Sequence, residues 1–151
     1  LSLQEQLDYG KGYMKEYPEE ILKRLLPSII DRISTSGELM TLEPVEFNFF
    51  INPKTIDVEK IIWKASNKND TLLHLRALRS LLREEDFSSI ASLQACVMPY
   101  AKEHGNGNVL WPLRYALSGQ DKSIDPFTTC YVLGKEETIA RISSACTILE
   151  V

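Results

Sequence analysis

Apolar side chains recur every three or four residues through most of this chain, and this spacing limits the fold more than any other sequence feature. In the clearest stretch, Leu72, Leu75, Leu78 and Leu82 fall on one face of a helix. Strand-like alternation of apolar and polar residues is nearly absent. The pattern therefore predicts an all-α protein in which each helix buries one apolar face.

Prolines and capping residues divide the first part of the chain into short helices. An apolar stripe from Ile21 to Ile33 contains Pro27, which has no backbone N–H to donate. We expect a break there, with a second short helix beginning near the proline. Asp57 is suited to cap a further short helix that runs through Trp63.

Turn signals separate the helices of the second half. Asp86 or Ser88 is expected to cap the helix that follows the leucine stripe. Residues 104–108, with the sequence HGNGN, predict a loop. The remaining periodic stretches predict helices over about 109–118, about 125–133 and about 135–149.

The length of 151 residues fits one ordinary domain or two small ones. An aromatic cluster at residues 47–51 precedes Asn52 and Pro53, a dipeptide that disfavours continued helix. We therefore predict two small helical subdomains, covering residues 1–52 and 53–151.

Charge and hydropathy exclude several classes of protein. The net charge of −4, with the acidic excess in residues 1–50, argues against nucleic-acid binding by charge alone. No apolar run approaches the roughly 20 residues that a membrane span needs, so no membrane association is expected. The first residues carry no signal-peptide pattern, and the chain begins with Leu rather than Met, which suggests processing or a shortened chain.

Cysteines and histidines give no metal or disulfide pattern. Cys96, Cys130 and Cys146 are odd in number and include no Cys-x-x-Cys pair, so they are predicted to be free thiols, mostly buried, in a reducing cytoplasm. His74 and His104 have no ligand partners at metal-binding spacing, and no metal site is expected.

Motifs for catalysis are also missing from the sequence. It contains no glycine-rich phosphate loop, no Gly-x-Ser-x-Gly turn and no paired carboxylates in apolar surroundings. We therefore predict no catalytic residues and no cofactor in this chain, and favour a binding function.

Three linked motifs in the last third carry a family resemblance. They are LWPLRYALSG at residues 110–119, SIDPF at 123–127 and YVLGKEET at 131–138, followed by Arg141 and Ile142. Together they resemble the C-terminal anticodon-binding region of bacterial-type glutamyl-tRNA synthetases, which reads Pro-x-Arg-x-Ala-Leu-[Ser/Thr]-Gly, Ser-Pro-x-x-Phe and Leu-Gly-Lys-Glu. Weaker support comes from residues 26–33 and 46–50.

The resemblance implies a role in reading tRNA. The family's ATP-site motifs are absent, so we expect a C-terminal piece of a larger ligase that joins glutamate to tRNA with ATP and Mg²⁺. Residues 1–52 would then end a helical cage, and residues 53–151 would form the C-terminal anticodon-binding domain. The expected partner is the anticodon loop of tRNA(Glu), with no DNA partner and a monomeric state.

Arg114 and Trp111 are the first site residues that the resemblance implies. The planar guanidinium of Arg114 is suited to bond a base edge in bidentate fashion. In the alternative interpretation, Arg114 is an ordinary helix-surface arginine or forms a salt bridge within the domain. Trp111 is suited to stack on an unstacked base, and its alternative is a core tryptophan behind the loop.

The second motif supplies the loop that meets the middle and third anticodon bases in the family. Its candidate residues are Ser123, Ile124, Pro126 and Phe127, with Phe127 as a plain core residue in the alternative interpretation. Ile124 stands where the family usually has proline, which puts the rigidity of the loop in doubt. Arg32 is the candidate cage arginine for an outer anticodon base, or else a helix C-terminal arginine favoured by the dipole.

Other charged residues have more ordinary interpretations. Lys135, Glu136, Glu137 and Arg141 belong to the third motif, but we expect them mainly to start and pack a helix. A row of arginines on the leucine-rich helix most simply forms a solvated face, with a nucleic-acid role as the alternative; the row comprises Arg76, Arg79 and Arg83.

Two alternatives to the glutamyl family stay open from the sequence. A helical protein-interaction module would use the apolar face from Leu72 to Leu82 as a groove for a partner helix. A class I lysyl-tRNA synthetase has a related helical cage, although the third motif favours the glutamyl family. An exposed leucine stripe would favour a protein partner, and clustering of Arg114 with Trp111 and the 123–127 loop would favour RNA.

Overall fold

The computed structural model describes residues 19–25, 27, 49–50, 53–64, 66–121 and 123–151. All of their regular structure is helical, so the all-α prediction is confirmed for this part of the chain. The chain divides into two compact units, Leu1–Asn52 and Pro53–Val151. None of the described helices is long and apolar enough to cross a membrane.

The first unit is described at residues 19–25, 27 and 49–50. Residues 19–25 are helical, and Leu22 and Leu25 of the predicted apolar stripe are buried there. Phe49 and Phe50 are also buried, and their ring centroids lie 4.2 Å apart. The second helix predicted to begin near Pro27 falls largely outside the described residues.

The second unit is built from a short helix and five longer ones. They are α1 (Val58–Ile61), α2 (Lys68–Arg83), α3 (Ile90–His104), α4 (Asn106–Ser118), α5 (Pro126–Leu133) and α6 (Lys135–Leu149). Helices α2, α4 and α6 pack against one another, α3 packs on α2, α4 and α5, and α1 packs on α4. The last three predicted helices therefore exist, and α6 has the predicted bounds.

Large aliphatic side chains from four of the helices form the core of this unit. Leu75, Leu78 and Leu82, three members of the predicted stripe on α2, are fully buried. They are joined in the core by Leu93, Val97, Leu113, Leu117 and Ile142. Burial of each such side chain contributes roughly 1.5–3 kcal/mol, so these residues are the main stabilising element of the unit.

Polar side chains begin most of these helices by accepting a backbone hydrogen bond. Asp57, Asn67, Ser89 and Asp125 occupy the N-cap positions of α1, α2, α3 and α5. Each supplies an oxygen to an N–H group that has no partner within its helix. The cap predicted for α1 is confirmed, but that helix ends at Ile61 rather than at Trp63, because Ile62 is extended.

The prediction that Asp86 or Ser88 caps α3 is wrong. Ser89 is the N-cap, and its hydroxyl accepts a hydrogen bond from the N–H of Ser92 at 3.0 Å. Several polar residues precede this helix, and only the backbone geometry decides which of them meets the free N–H groups.

The loop predicted at residues 104–108 is reduced to a single residue. Gly105 alone separates α3 from α4, with φ 95° and ψ 122°. Glycine tolerates this positive φ without a steric penalty, so the chain changes direction there at once. The side-chain amide of Asn108 donates to the carbonyl of His104 at 3.1 Å. Asn and Gly residues that resemble a loop in the sequence thus form the first turn of α4.

Candidate functional site

The segment of residues 57–60, at the start of α1, forms hydrogen bonds with two aromatic residues of helix α4. The indole N–H of Trp111 donates to the carbonyl of Lys60 at 2.7 Å. The hydroxyl of Tyr115 accepts from the backbone N–H of Asp57 at 3.2 Å. Because Trp111 and Tyr115 are four residues apart, they lie on one face of α4 and bind the segment together.

Arg114 contacts both the Trp111 ring and the backbone of Asp121. Its Nη2 donates to the carbonyl of Asp121 at 3.0 Å, and its guanidinium carbon lies 5.3 Å from the Trp111 ring centroid. The carboxylate of Asp121 lies 3.8 Å from Nζ of Lys60, whose own carbonyl binds Trp111. The exposed Lys60–Asp121 ion pair contributes little free energy by itself. Together, the contacts with Asp121 and Trp111 orient the guanidinium of half-buried Arg114.

Trp111 is surrounded by other rings. Its ring centroid lies 5.6 Å from that of Trp63, with the planes tilted by 44°, and 6.1 Å from that of Tyr115, in a stacked arrangement. Tyr115 is buried, whereas Trp111 and Trp63 are half-buried. Trp111 is therefore not a fully buried core residue, and its predicted stacking on a base stays a prediction.

The 123–127 loop is half-buried at its beginning and buried at its end. Ser123 and Ile124 are half-buried, and the Ser123 hydroxyl donates to the Ile124 carbonyl at 3.2 Å. Pro126 and Phe127 are buried in the first turn of α5, so the side chain of Phe127 has the position of a core residue.

Asp125 caps helix α5 at the end of this loop. Its carboxylate accepts from the N–H of Thr128 at 2.9 Å and from the Thr128 hydroxyl at 2.8 Å. These two hydrogen bonds fix the end of the loop to α5.

Arg32 lies outside the described residues, so its predicted place at the anticodon stays a prediction. The structure brings Arg114 and Trp111 together and joins Arg114 to Asp121, two residues before Ser123.

Sequence reasoning missed four participants in this site, namely Lys60, Trp63, Tyr115 and Asp121. Tyr115 had a usable signal, since it follows Trp111 by one helical turn. Nothing local pairs Lys60 with Asp121, because that contact exists only after the segment folds onto α4.

Two of the three arginines on α2, Arg76 and Arg83, are exposed as predicted, and Arg79 is half-buried. Nη2 of Arg76 lies 2.6 Å from Oε1 of Glu150, and Nη1 of Arg79 donates to the Ser143 hydroxyl at 3.2 Å. Both contacts join α2 to α6. The sequence did not show this, because α6 begins more than fifty residues after α2.

The charged residues of the third motif take the structural roles predicted for them. Arg141 is only 6% exposed, and it donates to Glu137 at 2.9 Å and to the carbonyl of Leu117 at 2.8 Å. Glu136 and Glu137 occupy the first turn of α6, where the helix dipole favours negative charge.

Burial shifts the pKa of several ionisable groups in the described part of the chain. Burial raises the pKa of Cys130 to about 12, so this thiol is inert at neutral pH. Burial and nearby His104 lower the pKa of His74, whose Nδ1 lies 2.8 Å from the Tyr100 hydroxyl. Within the described ranges, no group of three or more His, Cys, Asp or Glu side chains is placed to hold a metal ion.

Comparison with known families decides what kind of domain carries this surface. The model of a family described as "Anticodon binding domain" matches residues 3–146. The chain belongs to this family. The match covers nearly the whole chain and includes the site residues from Lys60 to Phe127.

Curated relatives of this anticodon-binding domain are glutamate–tRNA ligases. The ligase of Bacteroides fragilis is 33% identical over 142 residues, which cover 93% of this chain and 27% of the relative. The ligase of Clostridium acetobutylicum is 33% identical over 154 residues, which cover 95% of this chain and 31% of the relative. The resemblance stated from the motifs is therefore confirmed, and the chain spans less than a third of the length of these relatives.

A solved structure supports the same fold. The chain resembles a crystal structure of a glutamate tRNA ligase from Elizabethkingia meningosepticum with a TM-score of 0.72 and 24% identity. The likeness covers 99% of this chain and 30% of that one. Neither the lysyl-tRNA synthetase nor the protein-interaction alternative is favoured by these relatives.

Proposed function

We propose that this chain reads the anticodon of tRNA(Glu) as part of a glutamyl-tRNA synthetase. The observation that carries the proposal is the position of Arg114 beside Trp111 in a chain of the anticodon-binding domain family. The whole enzyme would attach glutamate to the tRNA with ATP and Mg²⁺, and this part would do no chemistry. We infer a monomeric, cytoplasmic protein with no DNA partner.

Each predicted site residue has a chemical role in this proposal. The guanidinium of Arg114, oriented by Asp121 and Trp111, offers paired N–H donors to a base edge. The backbone of Ser123 and Ile124 offers further polar groups, with Pro126 and Phe127 as the buried support below them. Unstacked loop bases are recognised by such edge contacts and by stacking.

The two compact units fit the same proposal. Leu1–Asn52 would be the end of the helical cage and Pro53–Val151 the C-terminal anticodon-binding domain. Arg32 would then supply a contact from the first unit to an outer anticodon base.

The net charge of −4 agrees with specific but weak binding by this chain alone. Phosphate contacts supply most of the affinity of nucleic-acid-binding proteins, and base contacts supply the specificity. The remainder of the enzyme would provide most of the phosphate contacts.

The leucines of α2 give the protein-interaction alternative little support. Leu75, Leu78 and Leu82 are fully buried inside the unit, whereas Leu73 and Leu81 of the same helix are exposed. The buried leucines belong to the core of the unit and would not receive a partner helix.

The proposal is tested by titrating the protein with the anticodon stem-loop of tRNA(Glu) and following amide NMR shifts. We expect shifts at Trp111, Arg114 and the 123–127 loop, and their loss in Arg114→Gln. A stem-loop with a scrambled loop is the RNA control. Arg83→Gln is the protein control, because it removes an exposed arginine from α2.

Two results would contradict this function. One is the absence of loop-dependent shifts at millimolar RNA. The other is tight binding at physiological salt with equal affinity for unrelated tRNAs, because that pattern indicates charge attraction without base reading.

A further inference from the structure

Trp63 places a second indole beside the predicted anticodon residues. It lies in the short connection between α1 and α2, and its ring centroid is 5.6 Å from that of Trp111. The two indoles are thus in contact, and Trp63 lies beside the ring that also contacts the Arg114 guanidinium. A strand whose base is read at Arg114 would therefore have a neighbouring nucleotide close to Trp63.

Gly107 sets the position of the Trp63 ring. A Cβ atom added at Gly107 would overlap the indole, with Nε1, Cε2 and Cδ1 as its nearest atoms. The first turn of α4 therefore packs directly against the indole through a bare backbone position. This close contact holds Trp63 at the edge of the site, where it remains half-buried rather than enclosed.

Positive charge accompanies this second indole. Lys60 and Lys64 are exposed, and Nζ of Lys64 lies 4.8 Å from the Trp63 ring centroid. The carboxylate of Asp57 caps α1, and that of Asp121 pairs with Lys60. In a chain of net charge −4, an indole contacted by the Lys64 ammonium, with exposed Lys60 three residues earlier in the chain, has the composition of a site for single-stranded nucleic acid.

We propose that Trp63, Lys60 and Lys64 form a second RNA contact, which binds the nucleotide next to the bases read at Arg114 and its phosphate. This inference rests on the proposed anticodon-binding function. Trp63 would stack on the neighbouring base, and the flexible lysines would neutralise the backbone phosphate. The contact adds affinity with little sequence preference, because every base offers a face for stacking.

The test measures the affinity for the same stem-loop at several salt concentrations. Trp63→Leu is expected to weaken binding about tenfold, since loss of one stacked base is worth roughly 1–3 kcal/mol. Lys64→Ala is expected to weaken binding and to reduce the slope of log K against log salt by about 0.7, the value for one phosphate contact to a single strand. Lys102→Ala, an exposed lysine on α3, should change neither quantity.

Tryptophan fluorescence separates direct stacking from a loss of fold. The protein has two tryptophans, so Trp111→Phe leaves Trp63 as the sole indole and Trp63→Phe leaves Trp111. RNA should quench the fluorescence of the Trp111→Phe variant, and a scrambled loop should quench it too once bound. Unchanged Trp63 emission at saturating RNA overturns the proposal.

The outcomes distinguish this inference from the function on which it rests. If Arg114→Gln abolishes loop-dependent binding while Trp63→Leu and Lys64→Ala bind like the wild type, the second contact is wrong and anticodon reading stands. If the wild-type protein shows no loop-dependent binding, both proposals fail. Weakening by Trp63→Leu and Lys64→Ala, together with quenching at Trp63, supports the second contact.

Discussion

Arg114 and Arg141, which come from the first and third family motifs, differ in burial. Arg114 is half-buried at the edge of α4 and bonded to the carbonyl of Asp121. Arg141 is buried and bonded to Glu137 and to the carbonyl of Leu117. Burial leaves Arg141 a role within the fold, whereas half-buried Arg114 keeps part of its side chain accessible to a ligand.

Gly107 tests the contact that positions Trp63. Alanine is normally favoured over glycine within a helix by about 1 kcal/mol. Here the added methyl group would overlap the indole, so we expect Gly107→Ala to lower the free energy of unfolding by about 1–3 kcal/mol. Urea unfolding followed by fluorescence measures the change.

A neighbouring substitution controls for the helix itself. Asn106→Ala, at the exposed preceding position, should leave stability within about 0.5 kcal/mol. If Gly107→Ala were as stable as the wild type, the indole would have room to move and Gly107 would not position Trp63.

At the scale of elements, short connections decide where the site residues lie. Gly105 alone joins α3 to α4, and Gly134 alone joins α5 to α6. The periodicity predicted α6 well because its apolar face is regular, but the predicted loop at 104–108 proved to be mostly helix. Asn and Gly are compatible with both a loop and a helix start, so local preference does not separate the two structures.

The Asp125 cap gives a prediction for the 123–127 loop. Asp125→Ala removes both hydrogen bonds to Thr128 and is expected to cost about 0.5–2 kcal/mol of stability. It should also weaken binding of the anticodon stem-loop, because the end of the loop is no longer fixed to α5. Thermal unfolding and NMR titration measure the two effects.

Asp125→Asn is the matched variant, since its side-chain oxygen still accepts from the Thr128 N–H. We expect most of the stability to be retained. Equal losses in both variants would show that the charge of Asp125, rather than its capping hydrogen bond, supports the loop.

For the second unit as a whole, stability should depend on pH through His74. Burial, and then the charge of His104, lower the pKa of His74, while Asp70 acts in the opposite direction. The folded state therefore disfavours the protonated imidazole. The contribution of His74 to stability is complete above the unfolded pKa of about 6.5 and is lost as pH falls from there through the lower folded pKa.

Urea unfolding at pH 7.5 and at pH 5.5 measures this dependence. Both tryptophans lie in Pro53–Val151, so their fluorescence reports on the unit that contains His74. The wild type should lose more stability between the two pH values than His74→Gln, which has no titrating ring. Identical losses in the two proteins would place the pH dependence on other groups.

The sequence by itself determined the helical class, the buried leucine face of α2 and the family to which the chain belongs. These features depend on local periodicity or on motifs that are continuous in the chain, such as residues 110–119. Only the tertiary structure decided that Trp63 and Lys60 join Trp111, and that Asp121 orients Arg114. The contacts of Trp63 and Lys60 with Trp111 link residues about fifty positions apart, and the contact of Asp121 with Arg114 depends on how the chain turns after α4. All three therefore form only when tertiary packing brings these residues against α4.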